Sequence, residues 1–197
     1  VKRALALALL ALPVPVYAGA QKYEELAASV RDRLRAAVSD RAPPYFNFRN
    51  PEDAHRWVYA MERRLRQRIP DRRERIELLK TVQYEAVRQG LDPQLVLGVI
   101  EVESGFRKYA VSRAGARGYM QVMPFWVKLI GSPGDNLFHL RTNIRYGCVI
   151  LRHYLDEERG DYFRALGRYN GSLGQPQYPN TVYVAWHGHW GYDGPRR

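Results

Sequence analysis

The chain has 197 residues, enough for one domain with an extension, and a folded chain of this size buries about 70% of its unfolded surface. Its formal net charge of +11 favours an anionic partner through long-range attraction, although a plain solvated basic face has the same composition. Cys148 is the only cysteine, which excludes an intramolecular disulfide, and its helical neighbours Ile144, Leu151 and Leu155 predict a buried thiol.

Residues 1–20 read as a secretory signal peptide. Lys2 and Arg3 form a positive start, residues 4–12 are an unbroken apolar run, and Pro13 and Pro15 break it before small residues. Cleavage after Ala18 or after Ala20 would leave Gly19 or Gln21 first. Nine apolar residues fall short of the roughly 20 needed to span a bilayer, so no stable membrane insertion is expected after cleavage. Export argues against nucleic acid as the partner of the basic surface and for anionic polymers of the cell envelope.

Residues 21–40 read as an amphipathic helix with Leu26, Val30 and Leu34 on one face. Pro43 and Pro44 mark residues 41–50 as a linker, and Asn50-Pro51 opens a second helix that runs to about Ile69. Asp71 caps a third helix, which stops at Gly90, and Asp92-Pro93 repeats the cap-and-proline start. The apolar stretch that follows also suits a buried strand, but its opening and its helical neighbours favour helix. A glycine-rich loop occupies 113–118. A helix follows Pro124, then a turn at 131–135, a long helix from about Asn143 to Glu158, and shorter helices near 161–169 and 180–187 around an irregular loop. The fold class is mainly α. Residues 21–74 form an amino-terminal helical extension, and residues 75–197 form the main domain.

Glu103 stands out chemically, at the end of a helix that is otherwise apolar from residue 95 apart from Glu101 and Gly98. Desolvation and the negative end of the helix dipole both disfavour its charged form, as a general acid requires. The same local pattern also fits an exposed glutamate at a fraying helix end. Glu101 lies about 200° away around the helix, so the two carboxylates cannot share one site.

Five ordered blocks decide between these readings. GVIEVESGF (98–106) contains Glu103-Ser104 and Phe106, and GARGYMQVMP (115–124) ends in Met120-Gln121-Val122-Met123-Pro124. DNLFHLRTNIRYGCVILRHYL (135–155), Tyr169-Asn170-Gly171 and Thr181-Val182-Tyr183-Val184 follow. Together they resemble the signature blocks of the soluble lytic transglycosylases. The chain departs at Gly171-Ser172, where the family usually has Ala-Gly, and at Asn180, where many members have Glu.

The resemblance implies a lysozyme-like helical domain with a glycan groove. It implies Glu103 as the catalytic acid/base, with Ser104, Tyr119, Met120, Gln121, Tyr169, Asn170 and Tyr183 lining the substrate site. Tyr169 is expected beside the acid, Gly115 and Gly118 under the sugars or in a plain turn, and Trp186 and Trp190 either stacked on sugars or in the core. Peptidoglycan glycan strands are the implied partner, and no metal or organic cofactor is required. His55, His139, His153, His187 and His189 form no credible ligand set. The implied reaction is a non-hydrolytic cleavage giving a 1,6-anhydro-muramoyl product. Alternatives are a hydrolytic, goose-type muramidase and a catalytically idle peptidoglycan-binding assembly protein. The resemblance leaves open whether such an enzyme serves wall turnover or opens the wall for secretion or pilus machinery.

Overall fold

The computed structural model describes residues 21–194; the expected signal peptide lies outside them. Eight α-helices follow in order: α1 (Ala28–Val38), α2 (Pro51–Leu65), α3 (Arg72–Arg88), α4 (Pro93–Ser104), α5 (Phe125–Ile130), α6 (Leu140–Glu157), α7 (Tyr162–Asn170) and α8 (Gln177–Val184). A π-helical turn, Ala185–His189, continues α8. Among the described residues the only β pairing is two isolated bridges, Val111 with Arg117 and Arg117 with Val122. The mainly α expectation holds.

Four of the helix starts follow from local chemistry. The side chains of Asn50, Asp71, Asp92 and Asp161 each accept from a backbone N–H in the first turn of α2, α3, α4 and α7. Pro51 and Pro93 sit at the first helical position, where their missing N–H costs nothing. Four boundaries differ from the sequence expectation by three residues or more: α2 stops at Leu65 rather than about Ile69, α6 starts at Leu140 rather than about Asn143, and the starts of α1 and α8 shift as well. Helix α1 begins at Ala28, not at residue 21: residues 21–27 form no helix, and Gln21, Tyr23 and Glu24 contact residues far along the chain instead. Helix α8 begins at Gln177, inside the expected loop. Pro179 falls in its first turn, where proline breaks no intrahelical hydrogen bond.

Helix α4 is the centre of the molecule. Leu95, Val96, Leu97, Val99 and Ile100 are all fully buried. A helix that is apolar on every side belongs inside a core rather than on its surface. Both indoles of the π-turn region fasten to it: Trp186 Nε1 donates to Asp92 at 2.9 Å, and Trp190 Nε1 donates to Glu101 at 2.6 Å. Trp190 is fully buried against Phe106, which makes it a core residue and excludes sugar stacking. Glu101 also pairs with Arg68 at 2.6 Å and contacts His189 at 3.0 Å, so it joins the α2–α3 connection, α4 and the π-turn. Glu101→Gln should therefore lower stability by about 1–3 kcal/mol through its charge-assisted bonds. Turnover per folded molecule should remain, as thermal denaturation paired with activity assays would reveal; lost activity at unchanged melting temperature would contradict this.

Residues 21–74 share one continuous apolar core with the rest of the described residues, through Leu34, Val38, Trp57, Met61 and Leu65. The carbonyl groups at the end of α1 are met by arginines, Arg88 on Ala37 O at 2.9 Å and Arg145 on Val38 O at 2.8 Å. These cations gather around Glu85, which is fully buried and also paired with Arg141. Burial pushes the Glu85 carboxyl up, against the pull of Arg145, Arg88 and Arg141. Cys148 is buried in α6 with its thiol pushed well up by desolvation, as its neighbours in sequence implied.

Candidate active site

The apolar packing of α4 ends at Glu103, which is 1% exposed. Gly105 closes the helix in a left-handed conformation, and Arg107 Nε donates to the Ser104 carbonyl at 2.9 Å. The Glu103 carboxyl is met from α8, where the Tyr178 hydroxyl donates to Oε1 at 2.6 Å. Burial raises the Tyr178 hydroxyl well above its ordinary range, and the negative charge of Glu103 adds to the effect. Tyr178 therefore stays protonated and remains a donor. Tyr169 on α7 is also within the electrostatic reach of Glu103, and its hydroxyl donates to the Met120 carbonyl at 2.7 Å.

A loop from α6's side completes this wall. Asn143, 1% exposed in the first turn of α6, accepts from Met120 N–H at 2.8 Å. Its Nδ2 donates to the carbonyls of Arg117 and Leu137, both at 2.8 Å. Gly118 makes room for this amide: a Cβ there would lie 2.4 Å from Asn143 Nδ2, and its φ is +76°. The glycine serves the loop's own packing. Gln121 takes φ +48°, a strained setting for a residue with a side chain. Its Nε2 donates to Gly118 O at 2.9 Å and Ala110 O at 3.1 Å, while its buried Oε1 accepts from no protein group. Asn170 is similar: Nδ2 donates to Ser172 Oγ at 3.0 Å, and the buried Oδ1 has no protein partner. Each of these buried acceptors calls for a donor from outside the protein, an ordered water or a ligand.

The expected residues thus separate. Tyr169 lies near the buried Glu103 carboxyl and holds the Met120 carbonyl of the loop that continues into Gln121. Ser104 turns its hydroxyl back onto Ile100 O at 3.1 Å within α4, and Met120 packs its side chain against Gly147. Tyr119 is nearly buried, and desolvation raises its hydroxyl to about 12. Tyr183 lies half-buried in an aromatic group with Trp186, His187 and Phe163. Tyr178 is the residue that sequence reasoning passed over. It stands 75 positions from Glu103 in a segment resembling a loop, and only its place before Pro179 hints at a helix start.

The match to the Transglycosylase SLT domain model covers residues 80–180, half of the chain. The chain belongs to the transglycosylase SLT domain family. The SLT span contains eight Asp and Glu residues besides Glu103, and each is engaged elsewhere. Glu85, Asp156, Glu157 and Glu158 pair with basic side chains, and Asp92 and Asp161 cap helices. Asp135 takes the Tyr146 hydroxyl at 2.6 Å, and Glu101 takes Trp190 and Arg68.

Several relatives are similar over part of their length. The transglycosylase of Enterobacteria phage PRD1 is 35% identical over 99 residues, spanning 50% of this chain and 36% of that protein. The membrane-bound lytic murein transglycosylase C of Glaesserella parasuis is 40% identical over 88 residues, 40% of this chain and 24% of that one. Its counterpart from Actinobacillus pleuropneumoniae is 52% identical over 48 residues, 24% of this chain and 13% of that one. The chain therefore spans little more than a third, or less, of these relatives. An X-ray structure of an inactive mutant of the lytic transglycosylase Slt from Pseudomonas aeruginosa aligns with a TM-score of 0.44 at 23% identity, covering 57% of this chain and 20% of that one.

If Tyr178 orients the Glu103 carboxyl, Tyr178→Phe should slow turnover about tenfold or more, the loss of roughly 1.4 kcal/mol in the transition state. The ring's packing survives the change, so the melting temperature should stay close to that of the parent. Steady-state kinetics with a thermal scan tests this, and parent-like turnover would leave Tyr178 a packing residue only.

Proposed function

We propose that this chain is a peptidoglycan lytic transglycosylase of the cell envelope, with residues 75–197 as its lysozyme-like catalytic domain and residues 21–74 as its helical extension. The observation that carries the proposal is the buried Glu103 carboxyl, bonded to the Tyr178 hydroxyl, in a span whose other carboxylates are all engaged elsewhere. The Glu103 carboxyl carries one proton before the reaction. Glu103 gives that proton to the glycosidic oxygen between N-acetylmuramic acid and N-acetylglucosamine, and the bond to the anomeric carbon breaks. The carboxylate then takes the proton of the muramoyl 6-hydroxyl as that oxygen bonds to its own anomeric carbon. One group gives and takes one proton, and the ring closes as a 1,6-anhydro sugar.

Glycosidases usually employ two carboxylates, one of which activates water or attacks the sugar. An internal nucleophile is present at high effective molarity and needs no such partner. The lone Glu103 supports the intramolecular route on this ground. The buried acceptors Gln121 Oε1 and Asn170 Oδ1 are suited to N–H or O–H donors of an acetamido sugar. The relatives named as lytic murein transglycosylases support the same substrate class.

Digestion of purified peptidoglycan in heavy-oxygen water tests the proposal. Unlabelled anhydro-muropeptides are the expected product. Labelled reducing ends would make the chain a hydrolytic muramidase, and intact glycan with retained binding would make it an assembly protein.

A further inference from the structure

The non-helical segment ahead of α1 reaches the strained loop of the candidate site. Gln21 is 3% exposed; its Nε2 donates to the Gln121 carbonyl at 3.3 Å, and its Oε1 accepts from Met123 N–H at 3.1 Å. Its side chain also lies beside the Tyr169 hydroxyl. Farther along, Tyr23 meets Phe125 edge-on at 5.7 Å, and Glu24 pairs with Arg168 at 3.4 Å. The segment is thus fastened at three points before the first helix begins.

One carboxamide here does the work of a neighbouring strand, satisfying the backbone on both sides of Val122. Val122 itself exchanges two backbone hydrogen bonds with Arg117, each 3.0 Å. Asn143 and Tyr169 hold the N–H and the carbonyl of Met120. Three of the four groups that fix this loop lie within residues 80–180; Gln21 alone comes from outside. Its bond to the Gln121 carbonyl lands on the residue at φ +48°. A strained backbone persists only where its surroundings over-determine it.

We propose that Gln21 is a positioning residue of the active site. It holds Gln121 in its strained setting and, with Tyr169, steadies the wall beside Glu103. The amino-terminal segment is therefore part of the catalytic apparatus rather than a tether. This inference rests on the reading of Glu103 as the acid/base.

The test compares Gln21→Ala and Gln21→Glu with the parent chain. Kinetics on soluble glycan strands and hydrogen exchange across residues 118–124 are the two readouts. Gln21→Ala should lower kcat about tenfold with KM within about twofold, and should speed exchange of the Met123 amide. Gln21→Glu has nearly the same shape but sets a carboxylate oxygen against the Gln121 carbonyl, so its kcat should fall at least as far. Parent-like kcat in both variants would overturn the proposal. So would a loss of kcat that only tracks a lower folded fraction, with exchange in 118–124 unchanged. A parent chain that leaves peptidoglycan intact would remove the reading of Glu103 instead. In that case the exchange readout alone decides whether Gln21 clamps the loop, and unchanged exchange would end the proposal.

Discussion

Glu103→Gln is expected to abolish turnover of peptidoglycan while leaving the protein folded and able to bind glycan. The amide is close in size and shape to the carboxyl and can still accept from the Tyr178 hydroxyl, so the packing at the end of α4 persists. What disappears is the acidic proton, because an amide N–H is far too weak an acid to protonate the glycosidic oxygen. A two-carboxylate glycosidase can retain partial function after losing one group, but here the same atom pair must give and take the proton. The other eight carboxylates of the SLT span are already engaged, so none is free to substitute. Release of muropeptides below a thousandth of the parent rate, an effect of about 4 kcal/mol, is the anticipated scale. Glycan pull-down and circular dichroism would accompany the assay. Appreciable activity in the folded variant would take the acid role away from Glu103.

The second large effect concerns the support of the loop. Asn143→Ala should cost about 3 kcal/mol or more, because the Met120 N–H and the Leu137 carbonyl lose their partner together and each orphan costs about 1–3 kcal/mol before relaxation, while the Arg117 carbonyl keeps the Val122 N–H. For a chain of this size that corresponds to a fall in melting temperature of roughly 6–12 °C. Gly118→Ala should act at the same place by another cause, since its Cβ would collide with the Asn143 amide at 2.4 Å and with Leu137 O at 2.6 Å. Gly115 provides the control. It also has positive φ, at +87°, but a Cβ there meets nothing within 4 Å, so Gly115→Ala should cost only about 1–2 kcal/mol. Thermal denaturation of the three variants tests the ordering. Equal losses at Gly118 and Gly115 would show that backbone conformation, not the room taken by Asn143, sets the need for glycine.

The sequence by itself determined the features that depend on neighbours along the chain. Asn50, Asp71 and Asp92 announced helix starts because a capping side chain reaches only two or three residues forward. The apolar run ending at Glu103 announced a buried helix with a carboxyl at its end, and the ordered motif blocks announced the family. The late start of α1 escaped this reading. An apolar spacing of four fits a helix from residue 21, yet Gln21, Tyr23 and Glu24 are drawn into contacts with residues 100 or more positions away. Tyr178 escaped for the same reason, since its role depends on a carboxyl 75 residues distant. Gly118 was legible as a glycine in a loop, but the purpose of its missing Cβ became visible only once α6 brought Asn143 against it. Caps and apolar periodicity are local energies written in consecutive residues. The partners of a buried hydroxyl, carboxamide or carboxyl are chosen by packing, which brings distant segments together, and that choice belongs to the tertiary structure alone.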